Sequence, residues 1–130
     1  MEEAEIWIKK ADEDLSVSQK LFTLDKRIYN NIICFHCQQA VEKYLKSFLV
    51  FHNIEIPKTH DLAKLIKLCI KVNEEFKILR DNDIDNLTIY ATDLRYPDFF
   101  AGDMSFEETK EAIEKAEFVK DFVMKKLKGV

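Results

Sequence analysis

The first part of the chain alternates apolar and charged residues with the spacing of an amphipathic helix. Apolar or small residues recur every three or four positions, at Ala4, Trp7, Ile8, Ala11, Leu15, Ser18, Leu21 and Phe22. Charged residues such as Glu2, Glu3, Lys9 and Lys10 occupy the opposite face, so this pattern predicts one helix with a single buried side. The polar segment LDKRIYN, residues 24–30, interrupts the pattern and ends the helix.

A second helix is predicted from Ile28 to His52, and it is apolar around most of its circumference. At 100° per residue its main apolar stripe is formed by Cys34, Cys37, Val41, Leu45 and Phe48, with Ile33, Ala40, Tyr44 and Phe51 beside it. Phe35 and Leu49 lie on a further side of this helix. A helix with so many apolar faces is usually surrounded by other helices, and we therefore expect this one to be central.

The third helix is predicted to follow Pro57, with Thr59 as its N-cap and Asp61 in its first turn. Its buried face would consist of Leu62, Leu65, Ile66, Cys69 and Ile70. A fourth helix is indicated by the spacing of Ile84, Leu87, Tyr90, Ala91 and Leu94. Pro97 restricts the residue before it and would end that helix.

A fifth helix is predicted after the loop DFFAGDM, residues 98–104. Ser105 and Glu108 form the S-x-x-E pattern of a capping box, in which each residue satisfies a backbone N–H of the other. The apolar positions that follow are Ala112, Ile113, Ala116, Val119, Val123 and Leu127. This helix closes the chain.

These patterns predict an all-α protein, an antiparallel up-and-down bundle of four long helices plus a shorter helix. The 130 residues contain only two Gly and two Pro, which are too few for the many turns of an all-β or doubly wound fold. We find no repeat or linker, so residues 1–130 are interpreted as one domain. A chain of 130 residues has the usual length of a single domain.

Charge and cysteine content limit the possible settings of the protein. The formal net charge is -4, so any contact with nucleic acid has to be a local patch rather than a general polycationic surface. Three cysteines without an apolar leader indicate a reducing, cytoplasmic setting, and no long uncharged apolar run predicts a membrane span. We expect a cytoplasmic protein without membrane contact.

The group Cys34, His36 and Cys37 raises the question of a metal or redox site, since thiolate and imidazole are common zinc ligands. On a helix, however, His36 points about 140° away from the stripe that carries the two cysteines. No second set of paired ligands follows in the sequence. We therefore predict buried thiols, no metal site and no cofactor.

Polar residues in the middle of this apolar helix are the more informative group: Gln38, Gln39, Glu42 and Lys43. Buried amides require hydrogen-bond partners. Gln38 and Glu42, like Gln39 and Lys43, are one helical turn apart, and such pairs can bridge to neighbouring helices or across a dimer. The alternative is that this face, together with His36, lines a groove offering donors to a phosphate or a base.

Two further segments carry candidate binding residues. In TDLRYPDFF, residues 92–100, Arg95 could hold a phosphate and Tyr96 could stack on a base. Alternatively Arg95 stabilises a helix C-terminus and pairs with Asp98. In KTHDL, residues 58–62, His60 stands at a helix N-terminus that is suited to an anion, although capping explains this segment better.

The three segments CFHCQQAVEKYLKSFLVF, PKTHDLAKL and YATDLRYPD, which follow an A-x-x-DL sequence at residues 11–15, together resemble the HEPN domain family in its minimal, single-domain prokaryotic form. The family is named for nucleotide binding in higher eukaryotes and prokaryotes. The resemblance spans nearly the whole chain. It implies a bundle of four to five helices, similar to the helical C-terminal domain of kanamycin-type nucleotidyltransferases, and a homodimer.

Many members of that family are metal-independent ribonucleases with an Arg and a His separated by four to six residues. This chain departs from the motif, because eight residues separate Arg27 from His36 and no His follows Arg80 or Arg95. Cleavage of RNA requires a general acid or base near the phosphate. We therefore assign no catalytic residue from the sequence.

Other members are encoded beside a separate minimal nucleotidyltransferase, and they either help it to bind substrate or form a toxin–antitoxin pair with it. The resemblance thus implies a non-cleaving module that associates with nucleotide or RNA, with a nucleotidyltransferase as partner. The expected ligand contacts are Arg95, Tyr96, Gln39, Lys43 and His60. Two alternatives stay open: an unconventional ribonuclease that combines Arg95 with His36 or His60, and a purely structural dimer whose seam contains Gln38, Gln39 and Glu42.

Overall fold

A computed structural model describes residues 2–91 and 103–128, and the regular secondary structure in these two ranges is entirely helical. The α-helices are α1 (Glu2–Thr23), α2 (Asn30–Phe51), α3 (Leu62–Val72), α4 (Lys77–Asp81) and α5 (Phe106–Lys128), and 3₁₀ helices span Arg27–Tyr29, Glu74–Phe76 and Ile84–Ala91. The predicted all-α bundle is confirmed.

Helix α2 is the centre of this bundle, as its apolar pattern predicts. It packs against α1, α3, α5 and the 3₁₀ helix Ile84–Ala91. Of its 22 residues, 14 are buried. The stripe from Cys34 to Phe48 lies in the hydrophobic core, where Phe48 packs against Phe76 with ring centroids 4.3 Å apart. The core therefore forms around α2 rather than between two separate layers.

Hydrogen bonds define how α1 runs along α2. Ser18 Oγ donates to the carbonyl of Ile33 over 3.1 Å, and the Tyr44 hydroxyl donates to the carboxylate of Asp12. The residue numbers of the partners fall along α1 while they rise along α2, so α1 and α2 are antiparallel. Helix α5 runs in the same direction as α2, since Asn30 Nδ2 donates to the carbonyl of Met104 and Cys34 Sγ lies 3.8 Å from Thr109 Oγ1.

Three turns use Asp or Asn where many proteins use Gly. Asp25, Asn53 and Asp83 all have positive φ, between 49° and 59°. Asp and Asn tolerate this left-handed conformation better than other residues with a side chain. At the end of α2, the N–H of Asn53 donates to the carbonyl of Val50 and the N–H of Ile54 to that of Leu49, which is a Schellman motif. A chain with two glycines can therefore still form sharp helix ends.

One predicted helix start needs correction and another is confirmed. Helix α3 begins at Leu62 and its N-cap is Asp61, whose Oδ1 accepts from the N–H of Ala63 over 3.0 Å. Thr59, the predicted cap, instead accepts from the N–H of Asp61, because its position is two residues too early. Ser105 and Glu108 do form the predicted capping box, with both N–H···O distances at 3.0 Å.

The region predicted as a fourth helix has a different internal structure. Residues Ile84–Ala91 form a 3₁₀ helix, and the preceding segment contains the short helix α4. Leu87 and Ala91 are buried as predicted, and Tyr90 packs partly against the core. The apolar spacing is compatible with an α-helix and with a 3₁₀ helix. The pattern therefore identifies the buried face but not whether the backbone hydrogen bonds are those of an α-helix or of a 3₁₀ helix. The remainder of that prediction, up to Pro97, lies outside the described residues.

Candidate functional site

A band of polar side chains follows one side of α2 and forms the candidate site. It consists of His36, Gln38, Gln39, Glu42, Lys43 and Lys46, here called the polar stripe. At 100° per residue the six positions occupy an arc of about 160°, opposite the core stripe, with Gln39 near the middle. Five of the six side chains divide into two clusters, each organised by one carboxylate.

The first cluster lies between α1 and α2 and is centred on Asp14. The carboxylate of Asp14 accepts from Lys43 Nζ at 2.6 Å through Oδ2, and its Oδ1 lies 2.8 Å from His36 Nδ1. Burial alone would raise the pKa of Asp14. Hydrogen bonds from His36 and Lys43, with the charge of Lys43, outweigh burial and hold this pKa below its ordinary value. Asp14 therefore remains an anion between two partners.

The second cluster is centred on Glu42, which is almost fully buried. Lys46 Nζ donates to Glu42 Oε2 at 2.8 Å, and His60 Nδ1 lies 2.8 Å from Glu42 Oε1. Gln38 Nε2 adds a third contact to Oε1 at 3.1 Å. Burial would raise the pKa of Glu42, but these hydrogen bonds together lower it. Lys46 also lies over the ring of Trp7, with Nζ 5.5 Å from the centroid.

His60 reaches the second cluster because the chain turns back after α2. The segment 52–61 has no regular secondary structure and carries His60 from the end of α2 back to its middle. The side chain of His60 remains 58% exposed although its Nδ1 contacts a buried carboxylate. Nearby N–H groups at the start of α3 are occupied by Asp61 and by Thr88 Oγ1. Capping thus accounts for this helix start, and His60 contacts Glu42 of the polar stripe instead.

Gln39 lies between the two clusters and takes part in neither. Its Oε1 is buried and has no hydrogen-bond partner within residues 2–91 and 103–128. The predicted pairing of Gln39 with Lys43 is not formed, since Lys43 binds Asp14. The predicted pairing of Gln38 with Glu42 is formed, yet Gln38 Oε1 is a second buried acceptor that no described residue pairs. The stripe therefore contains two amide oxygens that other described residues leave unused.

The arrangement supplies oriented donors, acceptors and imidazoles rather than an activated nucleophile. Each histidine contacts a carboxylate through Nδ1, which leaves the Nε2 side of the ring for other contacts. Burial raises the pKa of Cys34 to about 11 and that of Cys37 to about 12, so both thiols are protonated at neutral pH. Within the described residues, no three His, Cys, Asp or Glu side chains form a group that could hold a metal ion.

Of the five ligand contacts expected from the sequence, the structure brings Gln39, Lys43 and His60 to one face of α2. Arg95 and Tyr96 lie outside the described residues, as does the expected pair of Arg95 with Asp98. Asp14 and Lys46 were not predicted. Asp14 carried a detectable signal, because it is a charged residue on the buried side of α1, between Ala11 and Ser18.

Two open pockets on the described surface lie away from the polar stripe. One of about 260 Å³ is bordered by the α1–α2 connection and Phe106, and one of about 310 Å³ lies between α3 and Arg80. Neither is lined by any of the residues that the sequence singled out for binding. The candidate site is thus defined by its side chains rather than by these cavities.

The fold and the site together define a class: a helical module whose central helix carries a charged, internally paired face. Comparison with known proteins gives the family. A sequence model of the HEPN domain matches residues 4–127, and the chain belongs to the HEPN domain family. The resemblance seen in the sequence is confirmed. No helix within the described residues is long and apolar enough to cross a membrane.

Two relatives cover almost the whole chain. The "Putative toxin MJ1304" of Methanocaldococcus jannaschii is 29% identical over 140 residues, which span 95% of this chain and 90% of that protein. The crystal structure of ST0689, an archaeal HEPN homologue, superposes with a TM-score of 0.68 at 24% identity, covering 95% of this chain and 96% of the other. The structural likeness supports the fold, and the first relative is a protein described as a toxin.

Proposed function

We propose that this HEPN module binds a nucleotide or RNA at the polar stripe and acts as the non-cleaving member of a toxin–antitoxin-like pair. The observation that carries the proposal is the arrangement of Asp14 and Glu42, which hold two lysines and two histidines in place on a partly exposed face. Such side chains are preorganised for binding, because their orientation does not have to be ordered by the ligand. Similarity to a protein described as a toxin supports the pair.

The proposed contacts have different roles. Gln39, Lys43 and His60 face the ligand from the stripe, Arg95 holds a phosphate and Tyr96 stacks on a base. The assignments of Arg95 and Tyr96 rest on residue type, since a guanidinium matches a phosphate with paired hydrogen bonds and a phenol ring stacks on any base. A non-cleaving role follows from the missing ribonuclease spacing of Arg and His.

The test is a titration of the purified protein with ATP, the other nucleoside triphosphates and a short single-stranded RNA, in EDTA. Binding and the integrity of the RNA are recorded in the same samples. We expect binding without cleavage, and weaker binding by Arg95→Ala. Arg80→Ala is the matched control, because Arg80 is an exposed arginine of α4, outside both the polar stripe and the α1–α2 connection. No binding of any nucleotide or RNA would overturn the proposal.

A second function, RNA cleavage without a metal, is supported by one specific observation. His36 and His60 each contact a carboxylate through Nδ1, an arrangement that orients the opposite nitrogen for proton transfer. If either histidine acted with Arg95 in proton transfer at a scissile phosphate, RNA cleavage would persist in EDTA and would be lost in Arg95→Ala. His36→Gln and His60→Gln would then identify the histidine. This result would replace the non-cleaving assignment.

The proposed assembly is a homodimer that binds a separately encoded minimal nucleotidyltransferase. Apolar side chains at the α1–α2 connection support self-association, with Leu24 52%, Ile28 81% and Ile32 46% exposed. We expect light scattering to give a dimer mass that Ile28→Asp converts to a monomer. Ile89→Asp is the control, since Ile89 is 53% exposed on another element. A dimer that persists in Ile28→Asp and dissociates in Gln39→Asp would place the seam at the polar stripe.

The proposed partnership is tested directly by co-expressing this chain with the minimal nucleotidyltransferase whose gene lies nearest to its own. Co-purification in a defined ratio, and a change in growth when either member is expressed alone, are the expected results. Purification of the two proteins apart would remove the partner from the proposal while leaving ligand binding intact.

A further inference from the structure

The polar stripe lacks donors for its acceptors, and this imbalance indicates what kind of group it binds. Gln38 Oε1 and Gln39 Oε1 are the two buried side-chain atoms of the described residues that have no hydrogen-bond partner. Buried polar groups in native proteins are nearly always paired, so two orphans on consecutive residues point to a missing partner. In the orientation that the structure gives the two amides, both orphans are carbonyl oxygens, and the partner of a carbonyl oxygen has to be a donor.

The orientation of the Gln38 amide follows from its neighbours. Its Nε2 lies 3.1 Å from Glu42 Oε1 and 3.4 Å from the carbonyl oxygen of His60. Exchanging the two ends of the amide would place an oxygen against two acceptors. The chemistry of the site thus requires the nitrogen on that side and leaves the oxygen unpaired.

The charges of the stripe argue against an ionic partner for these oxygens. Lys43 and Lys46 are each paired with one of the two carboxylates, Asp14 and Glu42, so the four formal charges cancel. A phosphate has no donor for the amide oxygens and meets no unpaired lysine here. A guanidinium or ammonium group would have donors, but it would meet no net negative charge. The best match is an uncharged donor.

We propose that the polar stripe recognises the exocyclic amino group of a nucleobase, and that Gln39 Oε1 accepts the hydrogen bond. The inference rests on the nucleotide or RNA binding proposed above and specifies the class of base. Gln39 is chosen over Gln38 because Gln39 is only half-buried, so that a rotation of its terminal amide would bring the buried Oε1 to a ligand, whereas Gln38 is fully enclosed. Amino-bearing bases are adenine, cytosine and guanine. Their amino groups are uncharged donors.

The experiment compares nucleotides that differ only in this group. ATP is titrated against purine riboside triphosphate, which carries hydrogen in place of the 6-amino group. CTP is titrated against its analogue with hydrogen in place of the 4-amino group. The same substitutions are placed in a short single-stranded RNA. For the nucleotides that bind, we expect the amino group to increase affinity about five- to tenfold, as for one hydrogen bond between neutral groups.

Variants of Gln39 then connect the preference to this side chain. Gln39→Met keeps the length and removes the acceptor, so ATP should fall to the affinity of its analogue. Gln39→Glu keeps an acceptor oxygen and should keep the preference. Gln19→Met is the matched control, because Gln19 is an exposed glutamine of α1 that bonds to Glu117, outside the stripe.

The outcomes separate the two proposals. Equal affinities for the members of each pair, or a preference that survives in Gln39→Met, would overturn the amino-group inference while nucleotide binding stands. Failure to bind any nucleotide or RNA would overturn the proposed function and the inference with it. A preference lost in Gln39→Met and retained in both Gln39→Glu and Gln19→Met would support it.

Discussion

The substitution Glu42→Gln tests the central feature of the site, a carboxylate buried among donors. Glu42 is 4% exposed, and Lys46, whose Nζ lies 2.8 Å away, is 8% exposed. The glutamine has nearly the same shape but no charge. The variant therefore leaves the ammonium of Lys46 without its anion in a poorly solvated position, and His60 and Gln38 lose a charged acceptor.

The size of the effect follows from this burial. Removing one member of a buried ion pair costs about 3–5 kcal/mol, because the other charge stays buried without compensation. Contact of Lys46 with the Trp7 ring retains about 0.5–1 kcal/mol of favourable interaction for the cation. We therefore expect Glu42→Gln to lower the free energy of unfolding by about 3 kcal/mol. Glu111→Gln is the matched control: Glu111 and Lys115 form the same i,i+4 pair at 3.2 Å, but Glu111 is 64% exposed.

An exposed i,i+4 ion pair such as Glu111–Lys115 contributes about 0.3–0.5 kcal/mol to the free energy of unfolding. The assay is urea unfolding followed by circular dichroism at neutral pH. With a slope of about 2 kcal/mol per M, Glu42→Gln should lower the midpoint by about 1.5 M and Glu111→Gln by about 0.2 M. Adding Lys46→Met to Glu42→Gln should restore much of the loss, since no unpaired charge remains. Equal midpoint shifts for the two single variants would refute the reasoning.

Three further outcomes are expected. Because the pKa of Asp14 is lowered in the folded protein, the contribution of Asp14 to stability is complete above the ordinary carboxyl pKa and is lost as pH falls through the folded pKa. The urea midpoint should therefore drop more between pH 5 and 3 in the wild type than in Asp14→Asn. Equal drops in the two proteins would contradict this. Because burial raises the pKa values of Cys34 and Cys37, a thiol reagent at pH 8 should label these two thiols only as fast as the protein unfolds. Rapid labelling of the native protein would contradict this, because it would mean that the reagent reaches the two thiols in the folded state. Leu49→Ala, at a fully buried position, should lower the free energy of urea unfolding by about 3 kcal/mol, against under about 0.5 kcal/mol for Ile89→Ala, whose side chain is 53% exposed. Similar losses for the two variants would contradict the placement of the core.

Much of the fold could be predicted because helical periodicity is a local property. The apolar spacing in the second helix identified it as central, and the Ser105–Glu108 pattern located the start of α5. Predictions failed where two local patterns compete within a few residues. Thr59 and Asp61 are both good N-caps, and only the hydrogen bond from the N–H of Ala63 decides between them. Apolar spacing likewise does not distinguish a 3₁₀ from an α-helix over residues 84–91.

The site was less predictable, since its partners are distant in sequence. The i,i+4 rule correctly paired Gln38 with Glu42. It failed for Lys43, because a carboxylate on a neighbouring helix is a stronger acceptor than an amide on the same helix. That carboxylate, Asp14, is 29 residues away.

By itself, the sequence determined that this chain is helical, which of its helices is central, and that it resembles the HEPN domain family. These properties depend on the spacing and order of residues along the chain. Only the tertiary structure decided that Asp14 and His60 complete the two clusters, and that Gln38 and Gln39 each keep an oxygen to which no described residue donates. Hydrogen bonds and ion pairs depend on distances of a few ångströms between side chains on different elements, and residue spacing along one helix contains no information about them.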